Sequence, residues 1–98
     1  MSELESELKA KVAHYRRLTE KALQKVSIAK GISAEQKKTA EDFLKMAKDY
    51  FSDAGHFEKK GELLTALAAY SYAHAWLDAG VRSGILDGKG DDRLFIIP

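Results

Sequence analysis

The chain has 98 residues, 45% hydrophobic and 32% charged, with 16 Lys and Arg against 15 Asp and Glu for a formal charge of +1. That length holds one hydrophobic core and not two, and the near balance of charge excludes both a polybasic nucleic-acid domain and an acidic tail. There is no cysteine, which removes disulfides, thiolate catalysis and cysteine-ligated zinc or iron–sulfur clusters, so packing alone must hold a single domain over residues 1–98.

The first residues, Met1 to Glu7, are acidic and polar, unlike the cationic and apolar start of a signal peptide. Leu4, Leu8, Val12, Tyr15, Leu18, Ala22, Val26 and Ala29 then recur at steps of three and four, which predicts one long helix over about 2–29. Glu3, Glu5 and Glu7 at its start and Lys21, Lys25 and Lys30 towards its end complement the helix dipole, and Gly31 is a natural stop. Ser33-Ala-Glu-Gln36 reads as a capping box for a second helix. That helix, about 34–60, places Ala40, Phe43, Leu44, Ala47, Tyr50, Phe51 and Ala54 on one face. Gly55 is a place for a kink, but Phe57 continues the stripe and Gly61 ends it.

The third helix, about 62–82, differs in kind. From Glu62 to Ala79 only Glu62, Thr65, Ser71, His74 and Asp78 are polar. A helix apolar on nearly all sides is expected to be covered on several, so it is either the central element or partly covered by another chain. Its densest apolar window, Leu63 to Leu77, is too short to span a bilayer. A cytoplasmic location and no membrane partner are expected. The tail, 84–98, holds a Gly/Asp-rich turn and then Leu94, Phe95, Ile96 and Ile97, which are too apolar to stay in water and must fold back or enter a partner.

Phe57, Gly61-Glu62, Ala66, Tyr70 and Ala73 follow the grammar of a tetratricopeptide-like hairpin, in which Gly makes the turn and alanines let the helices close up. A true array needs about three repeats of about 34 residues, and only one unit is present. Three segments extend the pattern: Tyr50-Phe-Ser-Asp-Ala-Gly-His-Phe57, Lys60-Gly-Glu62 and Tyr72-Ala-His-Ala-Trp-Leu-Asp-Ala-Gly80. Together they resemble the domain of unknown function family 357, from about residue 10 to Leu94 and Phe95. The resemblance implies a small helical protein of a kind found mainly in archaea, and it brings no catalytic residues with it.

One constellation bears on chemistry. Asp53 and His56 are three apart on the second helix, and His74 and Asp78 are four apart on the third, so each pair shares a face. As a set they are the donors of a metal site. Packed antiparallel through Gly61, however, the pairs stand about 12 Å apart along the axes, and His56 falls opposite residue 66. The residues favour the plainer reading, in which His74 bonds Asp78, Asp78 reaches Arg82, and Ser71, His74, Asp78 and Arg82 form a polar stripe. Trp76 and Tyr70 read as core, with an indole N–H that then needs an acceptor, and His14 as a surface residue.

Other motifs fail. Asp87 to Asp92 lacks the Gly and Glu of a calcium loop, Gly88 and Gly90 follow no strand and open no helix, and no serine has a nucleophile-elbow context. No cofactor is expected. Lys9, Lys11, Arg16, Arg17, Lys21, Lys25 and Lys30 make the first helix basic, a feature that suits a phosphate backbone but more often marks a solvated face. The expected fold is an all-α bundle of three long helices with a tetratricopeptide-like hairpin and a short tail. The expected function is non-enzymatic: a module that binds a protein partner or itself through Ser71, His74, Asp78, Arg82 and Leu94, Phe95, Ile96 and Ile97. The alternatives are a metal or small ligand at the His/Asp cluster, and nucleic acid on the first helix.

Overall fold

A computed structural model describes residues 2–98. It is an all-α bundle of three helices, α1 (Glu3–Lys25), α2 (Ala34–Lys59) and α3 (Leu63–Arg82). Two short strands, β1 (Ser27–Ile28) and β2 (Leu86–Asp87), pair antiparallel with Ser27 opposite Asp87 and Ile28 opposite Leu86. The Ser2 hydroxyl accepts the Glu5 N–H and caps α1. Ser33 and Gln36 form the full capping box of α2.

The first helix stops four residues before the predicted end. Val26 is extended, and the Ala29 amide donates to the Ile85 carbonyl at 3.0 Å. Apolar periodicity cannot separate a last helical turn from a short buried strand, and here pairing with the tail supplied the competing hydrogen bonds. Gly31 accordingly lies in the following turn at φ 75° and does not cap the helix. The other two ends close as Schellman caps. Gly61 donates to Glu58 and Glu62 to Phe57, while Gly84 donates to Val81 and Ile85 to Gly80. Gly55 breaks nothing, since α2 is continuous through it.

α3 is the central element: it packs on both α1 and α2, which scarcely touch each other. Ala40, Ala47 and Ala54 of α2 are fully buried at seven-residue intervals, and Ala66 and Ala73 of α3 are equally inaccessible. Small side chains on both helices let the backbones approach closely. The core falls into two clusters along an elongated molecule of 51 × 23 × 16 Å. One, at the turn between α2 and α3, gathers Val12, Ala54, Ala66, Ala69 and Tyr70. The other gathers Leu77, Val81, Ile85, Leu86 and Phe95 with Ala22, Ala40 and Ala47. Gly80 makes the second possible, because a Cβ there would stand 2.6 Å from Leu86 Cγ.

Coverage of α3 is less complete than its composition suggests. Leu64, Ala68, Tyr72, Ala75 and Ala79 are exposed, and their spacing puts them on one stripe. The apolar surplus of this helix therefore includes a face left largely open, although Tyr72 stacks edge-on against Tyr50 of α2.

Candidate functional site

The polar residues of α3 turn towards the tail. His74, only 8% exposed, bonds through both ring nitrogens: Nε2 lies 2.5 Å from the Leu94 carbonyl and Nδ1 lies 3.0 Å from Thr19 Oγ1. A carbonyl only accepts, so Nε2 carries a proton and donates to it, while Nδ1 pairs with the Thr19 hydroxyl. One turn on, Asp78 Oδ1 accepts the Ile96 amide at 3.0 Å. A further turn on, Arg82 reaches the Ile97 carbonyl at 3.5 Å. Phe95 lies between these anchors, 3% exposed, beside Gly88, where a Cβ would stand 2.8 Å from its ring.

This differs from the predicted stripe in two respects. His74 Nε2 and Asp78 Oδ1 are 3.9 Å apart, too far for the expected hydrogen bond, and Asp78 is not joined to Arg82. Each side chain has instead found a main-chain group of the tail, which a strand-poor segment cannot satisfy for itself. Ser71 is exposed and makes no such contact, although it lines the groove of about 360 Å³ between α1, α3 and the tail with Tyr15, His74, Asp78 and Ile96. Leu94 is half-buried and Phe95 is core, so of the four apolar tail residues expected to interact Ile96 and Ile97, 59% and 37% exposed, keep free side chains.

The two His/Asp pairs do not meet. Phe43 stacks edge-on against Trp76 and Phe51 against Tyr70, a register that places His56 near the turn and roughly 13 Å from His74 along the helix axes. Asp53 and His56 are exposed on α2. Among the described residues no group of three or more His, Asp or Glu is placed to hold a metal ion. Trp76 is packed against the core as expected, but its buried Nε1 has no acceptor there. His14 is exposed beside Tyr15.

Sequence reasoning missed one cluster altogether. Tyr70, 1% exposed, donates to Glu58 Oε1 at 2.8 Å, and Arg16 bonds the other carboxylate oxygen. Burial pushes the Tyr70 phenol up, the bond to Glu58 adds to this, and together they raise it to about 12. Burial also pushes Glu58 up, but hydrogen bonds from Arg16 and Tyr70 and the Arg16 charge outweigh it and leave the carboxyl below its usual value. One residue from each helix contributes, so no spacing in the chain announces the group. Arg16 is thereby withdrawn from the basic face of α1.

Residues 14–86 match the family described as protein of unknown function (DUF357). The chain belongs to that family. The match takes in α2, α3, β1 and the first residue of β2, with Thr19, Glu58, Tyr70, His74 and Asp78, and it ends before Leu94 and Phe95, which the resemblance had been expected to reach. No curated protein and no solved structure matches the chain. The family description assigns DUF357 members no activity.

Proposed function

We propose that this protein is a non-enzymatic self-association module whose interface is the outward stripe of α3 edged by the end of the tail. The observation that carries the reading is the open apolar face: Leu64 is 73% exposed, Tyr72 48% and Ile96 59%, with Ala68, Ala75 and Ala79 between them. Contiguous exposed apolar surface of this kind is costly to leave in water, and a run of alanines lets another helix come close. The tail has been bound by its backbone, which leaves Ile96 and Ile97 free to extend the patch.

Removing residues 94–98 is a poor test, because it also takes Phe95 out of the core. The informative variants are Ala75→Glu and the pair Ile96→Ser/Ile97→Ser, all at exposed positions. Light scattering on the full chain should give a dimer or larger species that Ala75→Glu converts to monomer and the isoleucine pair weakens. A monomer at every concentration, the same in all three proteins, overturns the reading.

A further inference from the structure

The cations of α1 are sorted by the fold. Arg16 is engaged by Glu58, whereas Lys11, His14, Arg17, Lys21 and Lys25 follow one another at steps of three and four and are all exposed, so they share one face. The tail runs beside this face and adds Arg93. Between helix and tail lies a groove of about 320 Å³ with His14, Arg17 and Lys21 on one wall, Arg93 on the other, and Leu18 and Leu94 at its base.

One acid, Asp91, also lines the groove, and it is already spent. Its Oδ2 accepts from Lys25 Nζ at 2.8 Å, and its Oδ1 accepts the Arg93 and Leu94 amides at 3.0 and 3.1 Å. Among the described residues the side chains of Arg17, Lys21 and Arg93 make no ion pair and no hydrogen bond. Three permanent cations and a histidine therefore converge on a cleft whose only carboxylate is neutralised. Like charges gathered this way repel one another, and an anion between them relieves the repulsion and gains charge-assisted hydrogen bonds.

We propose that this groove binds a compact anion carrying two or three linked phosphates, clamped between Arg17 and Lys21 of α1 and Arg93 of the tail. Guanidinium groups present paired donors that match phosphate oxygens, and a lysine between them adds a point charge. The size of the site argues for a compact ligand over a nucleic-acid strand. Lys25 is held by Asp91, so the free cations of this face run from Lys11 to Lys21, roughly 15 Å of helix, and of these only Arg17 and Lys21 line the groove, which the tail walls on its far side.

Titration calorimetry of the full chain with tripolyphosphate, at fixed ionic strength, tests the site. Saturable binding at one site per chain is expected. Arg17→Ala/Lys21→Ala should weaken it about tenfold and Arg93→Ala about threefold, in line with exposed ionic contacts. Lys37→Ala/Lys38→Ala, which removes the same charge from exposed positions on α2, should change it less than about twofold, the residue of a long-range effect screened by salt. Equal weakening in that control, absence of saturable binding, or binding of a single-stranded oligonucleotide without tripolyphosphate binding each overturns the proposal. The self-association reading is independent of it, since Ala75→Glu lies outside the groove.

Discussion

At the turn end of α3, Tyr70 is held by Glu58 and Arg16, three side chains from three helices. At the tail end, His74, Asp78 and Arg82 hold main-chain atoms of residues 94, 96 and 97. The first arrangement depends on the identity of its side chains, because losing Glu58 leaves the buried Tyr70 hydroxyl without its partner. The second recognises backbone, so it constrains where the tail runs more than which side chains it carries. Phe95 is the exception, fixed by the pocket beside Gly88. This difference explains how Ile96 and Ile97 can be anchored and still exposed.

The largest effect should come from breaking the tail end at its one apolar anchor. Phe95→Ala removes a buried aromatic and should cost about 3 kcal/mol. Denaturant unfolding measures the loss, and hydrogen exchange should locate it: amides of β2 and the tail should exchange faster while those around Tyr70 keep their protection. Uniform acceleration along all three helices would show that the two ends are one cooperative unit.

A smaller effect is expected at the turn end. Tyr70→Phe leaves the Glu58 carboxylate with Arg16 alone and should cost about 1.5 kcal/mol. It also carries a pH signature. The folded phenol sits at about 12 against an ordinary value of 10.0, so its contribution is fully present below pH 10 and is lost as pH rises through the folded value. The parent protein should lose stability over that window and Tyr70→Phe should lose less. Parallel curves for the two proteins would remove the phenol from the account.

Least is expected from single members of the tail clasp. Asp78→Ala deprives the Ile96 amide of its acceptor, but that residue is exposed and water replaces the bond, so the cost should be about 0.5–1 kcal/mol. Asp78→Asn, which keeps an acceptor oxygen, should restore most of it. A loss from Asp78→Ala as large as that from Phe95→Ala would mean that the clasp, and not the aromatic, seats the tail.

The sequence made α2 and α3 legible almost residue by residue because their signals are local. The Ser33–Gln36 box, the glycine at the turn and the alanines at helical spacing each act within a few residues. The end of α1 was not legible, since Val26 and Ile28 fit a helix and a strand alike and the choice was made by a partner strand some sixty residues away. The polar stripe on α3 was visible as a stripe, yet its partners were misassigned to one another. Helical spacing shows which side chains share a face and carries no information about which distant backbone arrives there.

The sequence by itself thus determined three helices, the caps at Ser33 and Gly61, the antiparallel pair α2–α3 and the absence of any thiol chemistry, all consequences of short-range sterics, periodicity and composition. Only the tertiary structure decided that Thr19 would meet His74, that Glu58 would join Arg16 to Tyr70, and that Arg93 would face Arg17 and Lys21 across a groove. Those contacts depend on how three rigid helices and a tail settle against one another, and that arrangement is set by the summed burial of the whole core and not by any segment of it.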